Sequence, residues 1–269
     1  NGLVNVWHTY KDTEKKKQII AGLSAEVTDR LEPYNAGYVD WADSHCFNPQ
    51  ELKVELDRLM DESGAEYLFH TYYVGLDTEG DMVRAVFVEN KDGRGAVKAD
   101  FFIDATGDGD LARDLGIESY VHENIQPPSS CFLLQGDAEG VDVQKLIRRY
   151  GREFGLEDDY GWNNRLPRCK DITMRADAHV VGCRCDSAKD LTKAEAEGRR
   201  KARAIVEMLN KYGKQGVVYN NLASCSYLGI RETVHYKTIY QASENDLLLG
   251  MRYEDAILNG SYGVDMHFG

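Results

Sequence analysis

The residues most able to do chemistry lie together in Asp104-Ala105-Thr106-Gly107-Asp108-Gly109-Asp110, where three acids and two glycines follow the apolar run Phe101-Phe102-Ile103. Glycines at such a place let a ligand approach the backbone closely. A calcium loop fits the alternation of Asp104, Thr106 and Asp108 with Gly109 in sixth place, but the twelfth position, which needs a bidentate Glu, holds Leu115. A nucleotide site at the end of a parallel strand is a second reading. The third is a tight strand-to-helix turn with Asp as the helix cap, and the residue types alone leave these two open. A metal-dependent hydrolase built on Asp104, Asp108 and Asp110 would need a histidine near the acids, and none lies there in the sequence. Cys183-x-Cys185 is either a redox or metal pair or two small buried side chains; without CxxC or zinc spacing the buried pair is the better reading, and no metal site is expected.

The elements that must position these residues are legible around them. Asn48-Pro49-Gln50-Glu51 predicts a capped helix start, Leu52, Leu56, Leu59 and Met60 its buried stripe, and Gly64 its end, so this helix spans about 49–63. An earlier helix follows Ser24, with Val27 and Leu31 on one face and Pro33 ending it. Runs rich in Val, Phe and Tyr at 67–76, 82–90 and 95–103 predict a strand and then a hairpin. Phe101 to Ala105 is expected to be a buried strand parallel to 67–76 in one sheet, with 104–110 at its carboxyl edge. Past Pro127-Pro128, strands are expected near 131–134, 172–176 and 179–183. A helix carrying Val143, Leu146, Ile147, Tyr150 and Phe154 lies between the first two. A long helix with Ala202, Ile205, Val206 and Leu209 as its stripe starts at the box Thr192-x-x-Glu195 and ends near Tyr212-Gly213.

Five segments in order resemble the FAD-dependent oxidoreductase family related to flavoproteins of the fumarate-reductase and glutathione-reductase types. They are Gly2-Leu3-Val4-Asn5-Val6-Trp7-His8, Phe47-Asn48-Pro49-Gln50-Glu51-Leu52-Lys53, Ile103 to Ala112, Ala194-Glu195-Ala196-Glu197-Gly198-Arg199-Arg200, and Gly229-Ile230-Arg231-Glu232-Thr233. The resemblance implies a mixed α/β fold: the remnant of a Rossmann-like FAD-binding domain over residues 1–120, and an inserted β-rich substrate domain over 121–269 whose last part returns toward the first. It implies FAD as cofactor and hydride transfer between flavin N5 and a small substrate. Thr106 and Gly107 would place backbone near the FAD, with Asp108, Gly109 and Asp110 lining the turn and Tyr73 and Val74 near the adenine. Beside the flavin ring the resemblance puts Arg231 as the positive group and His8 or His267 as the proton carrier. The plainer alternatives are an Arg231 paired with a buried acid and histidines that are ordinary core or surface residues.

The family's opening G-x-G-x-x-G and its closing flavin-covering segment are not found, so the chain is expected to be the middle portion of such an enzyme, incomplete, inactive by itself and a weak binder of FAD. A non-catalytic binding module that has lost its cofactor is the alternative. Unpaired strand edges would then favour a homodimer. The balance of 32 Lys and Arg against 45 Asp and Glu, a net charge of −13, argues against nucleic acid as a partner. No segment is apolar enough to span a membrane, and six cysteines without disulfide or zinc spacing point to a reducing, cytoplasmic setting.

Overall fold

The computed structural model describes residues 2–34, 38–39 (backbone), 43–158 and 161–261. In chain order its elements are β1 (Val6–Trp7), α1 (Leu23–Leu31), β2 (Tyr38–Val39), β3 (His45–Cys46), α2 (Pro49–Ser63), β4 (Tyr72–Glu79), β5 (Met82–Asn90), β6 (Gly93–Val97), α3 (Asp110–Asp114), β7 (Ser119–Tyr120), β8 (Ser129–Gln135), α4 (Val143–Tyr150), β9 (Asn163–Arg165), β10 (Ile172–His179), α5 (Ala188–Tyr212), β11 (Asn220–Ser224), β12 (His235–Tyr236) and α6 (Glu244–Leu248). This is a mixed α/β chain. It divides into two compact units, one of Asn1–Leu59, Asn124–Glu232 and Tyr253–Gly269, the other of Met60–Glu123 and Thr233–Arg252.

The first unit is built on an antiparallel sheet in the order β11-β8-β10-β9. Side chains alternate across a strand, so β8 can serve two cores at once. Phe132 and Leu134 pack with Val143 and Ile147 of α4 and Ala202, Ile205 and Leu209 of α5. Cys131 and Leu133 face the other way, into a cluster with Met174, Ala176, Leu166 and Leu3. This double burial explains why the segment reads as a continuous apolar run rather than an alternating one. Gly198 lets α5 lie close to β8: a Cβ there would stand 2.5 Å from that of Ser130.

Local differences from the sequence-based expectations have identifiable causes. The long helix begins four residues before Thr192, because Ser187 accepts from the Asp190 N–H at 3.2 Å and caps it. Thr192 instead donates to the Ala188 carbonyl within the helix, and Glu195 accepts from the Leu228 N–H. The two strands expected near 172–183 are one strand, β10, with a register shift between Arg175 and Ala178. The start of α2 is as expected, with Asn48 accepting from the Gln50 N–H at 2.9 Å. Its stripe is not: Leu56 is exposed, whereas Glu55 is buried and paired with Arg58. Leu52 and Leu59 pack on Val27, Leu31 and Phe47.

The second unit carries a three-stranded antiparallel meander, β4-β5-β6, and the small pair β7-β12. Here the expected parallel pairing fails. Every strand pair among the described residues is antiparallel, and residues 101–105 form no strand. Phe101 and Ile103 are 90% and 91% exposed. An apolar run takes ladder geometry only when a neighbouring strand accepts its hydrogen bonds; among the described residues none stands beside this one.

Candidate functional site

The turn 104–110, entirely within the second unit, is organised by the carboxylate of Asp104. Its Oδ1 accepts from the N–H of Thr106 at 3.1 Å and the Thr106 hydroxyl at 2.7 Å. Its Oδ2 accepts from the Leu111 and Ala112 N–H groups at 3.0 and 3.3 Å, the first turn of α3. Burial opposes ionisation of this carboxyl, but the Thr106 hydroxyl and the three backbone donors outweigh it and hold the group below the usual carboxylate range. The Thr106 oxygen in turn accepts from the Asp110 N–H at 3.0 Å. Asp108 accepts from the Thr233 hydroxyl at 2.7 Å. Asp110 pairs with Arg113.

Two glycines shape the turn for different reasons. Gly109 has φ 66° and ψ 47°, the left-handed conformation that opens α3, and the ring of Tyr236 stands where a Cβ would go. Gly107, at φ 92°, has no neighbouring heavy atom within 4 Å of its missing Cβ. Two N–H groups that a phosphate-binding turn would present are already engaged. Gly107-x-Gly109-x-x-Ala112 has the spacing of a dinucleotide turn with alanine in the third place, yet its Leu111 and Ala112 N–H groups already donate to Asp104. Tyr73 donates to Asp114 at 2.8 Å, and burial together with that carboxylate pushes its phenol upward. Val74 beside it is 44% exposed.

Arg231 belongs to the first unit, where three elements converge on it. Ser129 opens β8 and His179 closes β10, directly opposite each other in the ladder. Gly229 pairs with Ser129 through two backbone hydrogen bonds of 2.8 and 3.0 Å, which brings the residue two places on alongside. The Arg231 guanidinium then donates through Nη1 to the Pro127 carbonyl at 2.7 Å and the Ser129 hydroxyl at 2.6 Å. Its Nη2 lies 3.1 Å from His179 Nε2. The residue remains exposed on its outer side. His8 is exposed just past β1. His267 lies outside the described residues. His179 and Ser129 carried no sequence signal, since only the strand register places them against Arg231.

Residues 1–268 match the family model described as FAD dependent oxidoreductase. Comparison with curated proteins finds no match. Among solved structures, the chain is similar to aklavinone-11 hydroxylase in a ternary complex with FAD and aklavinone, at 12% identity and a TM-score of 0.41 over 73% of this chain and 35% of that one. It is likewise similar to the p-nitrophenol 4-monooxygenase PnpA from Pseudomonas putida DLL-E4, at 12% identity and 0.41 over 70% and 44% of the two chains. L-proline dehydrogenase from P. horikoshii matches at 14% and 0.38 over 87% and 60%. The chain thus spans less than two thirds of the length of each of these flavoenzymes.

Proposed function

The chain belongs to the family of FAD dependent oxidoreductases, and from that premise we propose that Arg231 is the positive group of a two-electron redox site acting on a small molecule. Bound FAD would supply two-electron hydride chemistry at N5, in which negative charge would develop on whichever partner is reduced. The anchored guanidinium carries this reading: its inner edge is held by Pro127, Ser129 and His179 while its outer side is exposed. A cation fixed before reaction stabilises developing negative charge without reorganising. His8 and His267 are the proposed proton carriers.

The backbone of Thr106, Gly107 and Asp108, with Gly109 and Asp110 shaping the turn, is proposed to lie along the FAD, and Tyr73 and Val74 to meet its adenine. The open side of Gly107 supports this placement. Because the α3 N–H groups are consumed by Asp104, pyrophosphate binding is assigned to a glycine-rich unit elsewhere in the whole protein, whose sheet would also receive the exposed run Phe101–Ile103. In that arrangement residues 1–120 contribute to the FAD domain and 121–269 form mainly the substrate domain. A homodimer is the other cover for that run, distinguished by sedimentation. With no disulfide among the six cysteines, we place the protein in the cytoplasm; no helix among the described residues is long and apolar enough to cross a membrane.

The test is an absorbance titration with FAD of this chain and of the whole protein, followed by redox titration of Arg231→Met. The short chain should bind weakly and the whole protein tightly. Losing about 1.4 kcal/mol of stabilisation of the reduced state would lower the two-electron midpoint potential by about 30 mV. A whole protein that binds no FAD would leave a non-catalytic module as the better reading.

A further inference from the structure

We propose that His179 is a positioning residue: held neutral with its proton on Nδ1, it accepts from Arg231 through Nε2 and fixes the direction of the guanidinium. The proposal rests on the reading of Arg231 given above.

A guanidinium has five donors and no acceptor, and it stays protonated in proteins. At 3.1 Å from Nη2, the Nε2 atom of His179 can therefore only accept. That requires the neutral ring with its hydrogen on Nδ1, because an imidazolium would set two donors and two like charges against each other. The ring is 1% exposed, so water cannot easily take its place. Its backbone is held too, since the Lys201 ammonium, reaching in from α5, donates to the His179 carbonyl at 2.9 Å.

The remaining contacts divide the work. Pro127 and Ser129 both receive from Nη1 and tether that one corner of the fork. The His179 contact falls on the other terminal nitrogen, Nη2, so that both ends of the fork are held. Ser129 and His179 face the same side because they are a directly opposed pair of the β8–β10 ladder. The orientation of a flexible four-carbon side chain is thus fixed by strand register.

Selective ¹⁵N-histidine labelling of the whole FAD-loaded protein should show His179 with an unprotonated Nε2 and a protonated Nδ1, and Arg231→Met should abolish that fixed preference. In redox titrations, His179→Leu should reproduce most of the shift seen for Arg231→Met, which is set at a tenfold change in the oxidised-to-reduced equilibrium, or 30 mV for two electrons. His179→Gln, which keeps an acceptor oxygen near the Nε2 position, should restore at least half of it. In an Arg231→Met background, His179→Leu should add nothing. A proton on Nε2 in the wild type, or a His179→Leu shift that Gln does not rescue, would overturn the proposal. If Arg231→Met leaves the potential unchanged while the fixed tautomer is present, the positioning contact stands and the redox role of Arg231 falls. Should His179→Leu not fold, the wild-type spectrum and the Gln variant still decide.

Discussion

Replacing Asp104 by Ala removes the acceptor on which the whole 104–112 turn depends, and the size of the effect follows from its four hydrogen bonds. Two of them satisfy N–H groups in the first turn of α3, a half-buried turn of a helix of only five residues. Loss of a helix cap costs about 1 kcal/mol, within a range of roughly 0.5–2. The clasp on Thr106 adds a further bond of about 0.5–1.5 kcal/mol, reduced because water replaces it at an exposed site. A local destabilisation of about 1–2 kcal/mol corresponds to a factor of roughly 5–30 in opening. Amide hydrogen exchange should report it at Leu111 and Ala112, and at Leu115 and Ile117, whose N–H groups donate to the carbonyls of Leu111 and Ala112. Asp104→Asn, which retains one acceptor oxygen, should fall between the two. Unchanged exchange across 110–117 in Asp104→Ala would refute the claim that this carboxylate, rather than the glycines, organises the turn.

The same carboxylate gives a pH dependence. Its folded pKa is depressed, so its contribution is complete above the unfolded value of about 3.9 and is lost as pH falls through the lower folded value; exchange at Leu111 and Ala112 should accelerate only below about pH 4. Gly109→Ala should lower the melting temperature, because it combines a left-handed backbone cost of about 1–2 kcal/mol with displacement of the Tyr236 ring. Gly198→Ala should also destabilise despite a helix-propensity gain of about 1 kcal/mol, since overpacking against Ser130 costs about 1–3; a raised melting temperature would count against the close approach of α5 to β8. Arg175→Met strands the buried Asp177 carboxylate, which should cost about 3–5 kcal/mol in denaturant unfolding, with much of it recovered on adding Asp177→Leu.

The sequence determined the elements whose signals are local and backbone-encoded: the Asn48-Pro49 helix start, the left-handed end at Gly64, the hairpin of Val- and Phe-rich strands, and the apolar stripe of the long helix. It also carried the family, because five segments stand in the right order. It could not place residues whose role depends on a neighbour in space. Ser187 outcompeted Thr192 as a cap because the chain before the helix enters in an extended conformation that only the fold sets. Leu56 and Glu55 exchanged their expected environments because burial is decided by what packs against a helix, not by its periodicity alone. The run 101–105 reads as a buried strand but forms none here, since a ladder requires a partner that the run itself does not encode. His179 and Ser129 were invisible as site residues for the same reason. Each is ordinary in its own segment, and only the antiparallel register of β8 with β10, together with the Gly229 bridge, turns them toward Arg231.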